Sequence, residues 1–364
     1  MLRELRVPGP TPLPPQVQEA LARPMINHRG REFRELHQQV RAKLQQVTGL
    51  PHEVFLLTAS GTGGLEAAIC NCIRPGDRVL ALVTGHFGQR FAAIARRYGA
   101  LVECLRFPPG QAVDQAAVSL ELDRAHYDAV LLTHCETSTG VLNDVGAISR
   151  LIAARPKPPA LLVDAVSSLG AVRIEADPLP DIIVTASQKA WMTPPGLSMV
   201  FVSSEIWPRI EANPSPRYYL DLVAARRYGE RGETPWTPAL PLIYGLDAAL
   251  DLILAEGSAA FCDRHQRLAR RLRAGLRSLG LVILPAEKDA SPTVTAAWLP
   301  QGVQYDAFAA ELRERFGVEL AGGQDELKNR IFRIGHMGYI YEENVEYLLS
   351  AIGDVLHTGA RGKE

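Results

Sequence analysis

Among the basic side chains only lysine can shed its proton and condense with a carbonyl, because guanidinium stays protonated. The chain has 364 residues, 39 of them basic, yet lysine stands only at 43, 157, 189, 288, 328 and 363. Lys189 lies in DIIVTASQKAWMTPPGLSMVFV, just after an apolar run, beside Trp191 and ahead of a Pro-Pro-Gly turn. Burial there would lower the amine's pKa and leave it able to attack an aldehyde. A lysine that lays its stem on apolar surface and keeps its head in water fits the same residues.

Two further segments could work with such an amine. In LLVDAVSSLGA, Asp164 ends an apolar run, where a carboxylate stays charged only if it meets a cation. A pyridinium nitrogen would satisfy it, and the protonated ring would then act as an electron sink; capping of the next turn is the plainer role. In VFLLTASGTGGLEAAICN, Ser60, Gly61 and Thr62 open a helix after a strand, where free N–H groups bind phosphate. The same glycines also suit a capped turn. A dinucleotide fingerprint would need a third glycine where Glu66 stands.

These residues need a scaffold of strand ends. From Val54 to about Phe201 the runs VFLL, RVLALV, LVECL, AVLLTH, ALLVD, DIIVT and SMVFV alternate with helical patterns, as in strands buried on both faces of a mainly parallel sheet. A doubly wound α/β fold follows, with ligands at the carboxyl ends of strands. Phe33, Leu36, Val40, Leu44 and Val47 mark an amphipathic helix from Arg31 to Val47. PGPTPLPP reads as an extended segment handing over to a helix near Gln16. After Pro241 the chain is helical to Leu279, passes strand-like VILPA and TVTAAWL, and ends in a helix carrying Val345, Leu348, Leu349, Ile352 and Leu356, with the final TGARGKE frayed. We therefore expect an extended segment over 1–15, a large domain over 16–257 and a smaller α+β domain over 258–364.

Composition narrows the function classes. A net charge of -1 with interleaved signs gives no field for a nucleic acid or an anionic membrane surface. No apolar run approaches the ~20 residues that span a bilayer, and the start has no signal-peptide core, so we expect a cytoplasmic protein. Cys70, Cys72, Cys104, Cys135 and Cys262 are odd in number and form no C-x-x-C pair, so buried thiols are expected rather than disulfides or structural zinc.

Phosphate cradle, pyridinium partner and imine lysine follow one another along the chain. With ASGTGGLEAA, GHFGQR, HCETSTGV, LLVDAVSSLG, SQKAWMTPPG and RIG together, the sequence resembles the class V pyridoxal-phosphate aminotransferases, in particular the alanine:glyoxylate, serine:pyruvate and serine:glyoxylate branch. The likeness runs from VPGPTPLPP to FRIGHMG. It implies a fold type I transferase with a mainly parallel seven-stranded sheet in the large domain. It also implies pyridoxal 5'-phosphate as cofactor and a homodimer with shared active sites.

On this resemblance Ser60, Gly61, Thr62 and Gln188 hold the phosphate, and Phe87 stacks on the ring where this branch usually has Trp. Ser138 brings a hydroxyl near the ring oxygen and the substrate, Asp164 faces the pyridinium and Lys189 forms the imine. Arg333, in IFRIGHMG, grips the substrate carboxylate. Thr237 reaches the phosphate of the neighbouring subunit, Thr234 stands where relatives often have a second such ligand, Tyr, and His28 and Arg29 lie toward the entrance. The implied reaction is a ping-pong transamination of alanine or serine with a 2-oxo acid such as glyoxylate or pyruvate.

Three other readings meet obstacles in the residues. A cysteine desulfurase needs a mobile cysteine shortly before the arginine, and GVELAGGQDELKNRIFR has none; a lyase lacking that cysteine stays open. A dinucleotide-dependent oxidoreductase leaves Lys189 and Asp164 without a role. A binding protein with a dead site would not be expected to keep Lys189, Asp164 and Arg333 together.

Overall fold

The computed structural model describes residues 4–359. Seven strands form the large sheet: β1 Glu53–Leu57, β2 Arg78–Val83, β3 Leu101–Arg106, β4 Ala129–Thr133, β5 Ala160–Asp164, β6 Ile182–Ala186 and β7 Ser198–Val202. Their spatial order is β1-β7-β6-β5-β4-β2-β3. β7 is antiparallel to both its neighbours, and the other pairs are parallel. Parallel neighbours need a crossover, whereas an antiparallel pair can be joined directly. Residues 187–197 make that direct join between β6 and β7, and they contain Gln188 and Lys189.

Alternation along each strand sorts side chains into two layers. Leu80, Leu82, Val130, Leu132, Leu161, Val163 and Ile183 face one core, packed on the helices Arg31–Thr48 and Leu240–Glu256. Val79, Ala81, Val83, Leu131, Leu162, Ile182 and Val184 face the other, beneath the helices Gly61–Cys72 and His86–Arg97. Gly64 allows that second contact, since a Cβ there would stand 1.9 Å from Ser198 Oγ. In the helix Arg31–Thr48 the expected stripe faces inward, with His37 added to it and Leu36 partly buried.

A second sheet follows, of β8 Val294–Trp298, β9 Ala321–Gly322 and β10 Ile331–Gly335, in the order β8-β10-β9 and antiparallel throughout. It packs with the helices Ser258–Ser278, Tyr305–Phe316 and Glu342–Gly359 around a third apolar core. VILPA does not form the expected strand. It contributes an isolated bridge, Ile283 to Ala297, with Leu284 N on the Ala296 carbonyl at 2.9 Å and Trp298 N on the Val282 carbonyl at 2.8 Å, and Pro285, having no N–H to donate, does not extend it. Of the expected frayed end, residues 360–364 lie outside the described residues. No described helix is long and apolar enough to cross a membrane.

The first residues do not simply lie on a surface. Glu4–Leu5 pairs in parallel with Val318–Glu319, and the Arg6 carbonyl accepts from Gly335 N at 2.7 Å. The chain then passes over the β6–β7 connection, where Thr11 N donates to the Gln188 carbonyl at 3.2 Å and Thr11 Oγ1 to that of Lys189 at 3.0 Å.

Candidate active site

β1, β2, β4, β5 and β6 end on one edge of the sheet, and the chemistry-bearing residues follow these ends. Asp164 is the last residue of β5. Its buried carboxylate accepts one N–H, from Val166 at 3.0 Å. Burial pushes its pKa up to about 7; the Val166 N–H opposes the rise, nearby Glu136 adds to it, and the charges of Lys189 and Arg90 oppose it. Lys189 is 8% exposed. Burial holds its amine at about 8, with Asp164 favouring the charged form and Arg333 and Arg90 the neutral one. Both groups are therefore drawn toward neutrality from the ordinary values of an aspartate and a lysine.

The strap from the N-terminus roofs this lysine. Lys189 Nζ donates to the Pro8 carbonyl. Gly9 has φ of +135°, and a Cβ on it would lie 2.7 Å from Nζ, so only glycine lets the strap come this close.

Ser60 caps the helix Gly61–Cys72, accepting from Gly63 N at 3.3 Å. Gly61 and Thr62 follow in the first turn, whose N–H groups have no intrahelical acceptor. Thr62 Oγ1 accepts from Arg90 Nη1 at 3.4 Å, and the Arg90 guanidinium lies 4.8 Å from the centre of the Phe87 ring. Gln188 keeps a buried amide oxygen with no hydrogen-bond partner among the described residues.

Phe87 and Ser138 are held by a residue that sequence reasoning missed, Glu136. Its fully buried carboxylate accepts from Phe87 N at 3.1 Å, Gly88 N at 3.0 Å, Ser138 N at 3.1 Å and Ser138 Oγ at 2.6 Å. The helix His86–Arg97 starts at Gly85 with no capping side chain of its own, so Glu136 supplies the acceptor from another strand end. Ser138 Oγ accepts in turn from His86 N at 3.0 Å. A carboxylate in CETST opposite a helix that begins without Ser, Thr, Asp or Asn was the available signal.

Arg333 reaches the same place from β10. It is 7% exposed; Nε donates to the Gly322 carbonyl at 2.8 Å, and Nη1 to the Thr137 carbonyl at 3.1 Å and Gln324 Oε1 at 3.0 Å. Burial lowers its pKa from the usual guanidinium value, and Glu136 opposes the fall.

The remaining candidates stand apart. Thr237 is exposed, and among the described residues no hydrogen bond ties it to Ser60 or Lys189. The Thr234 hydroxyl is used internally, on the Trp236 carbonyl at 2.7 Å. Arg29 binds the carbonyls of Thr234 at 2.6 Å and Pro235 at 3.1 Å, so it braces that loop, while His28 makes no hydrogen bond among the described residues.

These donors and acceptors suit pyridoxal phosphate: an amine poised near neutrality, a buried carboxylate short of a cation, an open helix N-terminus for phosphate and a flat ring beside them. Comparison with known proteins agrees. Residues 8–348 match the family model "Aminotransferase class-V". The chain is 39% identical over 356 residues to a protein named soluble hydrogenase, small subunit, from Synechococcus sp., covering 97% of this chain and 92% of the relative. It is 35% identical over 338 residues to an L-aspartate–glyoxylate aminotransferase of Paracoccus denitrificans, covering 91% and 85%. The crystal structure of an alanine–glyoxylate aminotransferase from Nostoc sp. superposes with a TM-score of 0.93 at 32% identity, covering 97% of this chain and 95% of that one. The described residues contain no group of three or more His, Cys, Asp or Glu able to hold a metal ion. The chain belongs to the class V aminotransferases, enzymes that work with pyridoxal phosphate.

Proposed function

We propose that the enzyme transfers the amino group of a small amino acid, alanine or serine, to a 2-oxo acid such as glyoxylate or pyruvate. The observation that carries this reading is the roof over Lys189: the Pro8 carbonyl and the bare Cα of Gly9 leave little height above the amine for a large side chain. When bound, the cofactor supplies a carbonyl for the amine and a ring that takes up the electron pair left at the substrate Cα.

The chain's own residues divide the remaining work. Ser60, Gly61, Thr62 and Gln188 bind the phosphate, and Phe87 gives the ring a flat surface. Asp164 holds a proton at the pyridine nitrogen. Ser138 offers its hydroxyl to the ring oxygen and the substrate. Arg333 binds the α-carboxylate and thereby selects which Cα bond breaks. Lys189, released as a free amine, removes the Cα proton and redelivers it. The second half-reaction runs the same residues in reverse with the acceptor. Thr237, exposed and unpaired in the single chain, suits a contact to the partner's phosphate in a homodimer, and residues 16–257 and 258–364 form the two domains of the reading.

The test is a donor and acceptor panel on purified enzyme, read by product chromatography. Alanine or serine with glyoxylate or pyruvate should give the matching amino acid and oxo acid in equal amounts. Failure with both alanine and serine overturns the reading, and pyruvate from serine without any acceptor assigns a lyase instead.

A further inference from the structure

The hydrogen bonds of Arg333 leave it half engaged. A guanidinium has five N–H groups in one plane. Nε uses its single hydrogen on the Gly322 carbonyl, and Nη1 uses both of its own on the Thr137 carbonyl and Gln324 Oε1. Only Nη2 lacks a partner among the described residues. A carboxylate bound through two parallel bonds needs two hydrogens on one edge, either Nε with Nη2 or Nη1 with Nη2. Each edge already has one position taken.

The three acceptors differ in how easily they can leave. The Gly322 carbonyl belongs to β9, hydrogen-bonded to β10 in the register Ala321 to Arg333 and Gly322 to Phe332. The Thr137 carbonyl lies in the turn that Glu136 and Ser138 fix. Gln324 is the one side chain of the three, half-buried, and needs only rotation about its own bonds. The residue after it is anchored elsewhere: Asp325 Oδ2 pairs with His86 Nδ1 at 2.7 Å, on the helix that carries Phe87. The backbone can thus stay in place while the amide swings out.

We propose that in the substrate-free enzyme the Gln324 amide oxygen stands in for one oxygen of the substrate carboxylate, and that a monocarboxylate must displace it from Arg333 to bind through both oxygens. The proposal rests on Arg333 as the carboxylate clamp. The stand-in keeps a buried cation satisfied between turnovers, and its neutral amide is the weaker acceptor, so an anionic oxygen replaces it. An amine without a carboxylate has nothing to offer in exchange.

The experiment measures the dissociation constant of propionate, which has no amine to react, on the cofactor-loaded enzyme by titration calorimetry. Gln324→Ala should tighten propionate about tenfold, the size of exchanging one hydrogen bond to a charged donor. Gln324→Glu, nearly the same size, should weaken it by more than that, because its own carboxylate pairs with Arg333. Propionate affinity that is unchanged or weaker in Gln324→Ala overturns the proposal and leaves the clamp standing. Arg333→Met should abolish binding in every background; wild-type affinity in that variant removes the clamp and the proposal with it.

Discussion

The two walls of the site treat their ionisable groups in opposite ways. On the sheet edge, Asp164 accepts a single N–H and Lys189 gives one hydrogen bond, so burial dominates and their pKa values are drawn to about 7 and about 8. On the wall built from β9 and β10, Arg333 is as deeply buried but gives three hydrogen bonds to carbonyl oxygens. The two groups proposed to hold or move a proton are kept poor in polar partners, and the one proposed to bind the carboxylate as a cation is surrounded by them.

The sharpest way to break this contrast is to remove the proton carrier. Lys189→Ala should lower turnover about 10³-fold, within the range for a lost acid–base group, and abolish the visible absorbance of the lysine-bound cofactor. Lys189→Arg keeps the charge yet cannot release it, so it should be equally inactive. Wild-type rates in either variant would remove Lys189 from the chemistry.

A smaller effect concerns stability in the cofactor-free protein. The Asp164 carboxyl rises from 3.8 to about 7 on folding, so its contribution is present below about pH 4 and lost as pH rises through 7. Lys189 falls from 10.5 to about 8; its contribution is present above about pH 10.5 and lost as pH falls through 8. Asp164→Asn should therefore exceed the wild type in stability above pH 7 by on the order of 2 kcal/mol, with the gap closing toward pH 4. Urea titrations across that range check it, and identical curves would mean that the buried carboxylate is not strained by its surroundings.

The smallest effect tests Glu136, which fixes Phe87 and Ser138. Glu136→Gln turns one acceptor into a donor facing backbone N–H groups, which should cost about 1 kcal/mol in urea unfolding. No loss would show that the helix His86–Arg97 does not depend on this borrowed cap.

What the sequence disclosed follows from how local each feature is. The central strands were readable because Val79–Val83, Ala129–Thr133 and Ala160–Asp164 are buried along their length, whereas LVECL, expected to be buried on both faces, forms the edge strand Leu101–Arg106 and stays half-exposed. VILPA has the same composition, yet its pairing stops at one bridge before Pro285, which has no N–H, and composition does not weigh hydrogen bonds. Lys189 and Asp164 could be named because their oddity lies in their immediate neighbours. Glu136 left a fainter signal, since Phe87 and Gly88, the backbone groups it caps, lie on a helix that begins at residue 86. Gln324 was hidden for a similar reason: its role arises only when β9 registers against β10. Thr237 has no hydrogen-bond partner among the described residues, so the fold adds nothing to its proposed contact with a second subunit.

The pairing of Glu4–Leu5 with Val318–Glu319 sets an order of events during synthesis. The strap emerges from the ribosome first, but its docking sites, at residues 188–189, 317–319 and 335, emerge much later. Its full set of hydrogen bonds therefore closes only once residues 317–319 and 335 are present. Closure of the roof thus joins residues far apart in the chain, and the burial it completes is what takes the Lys189 amine out of water and brings its pKa down.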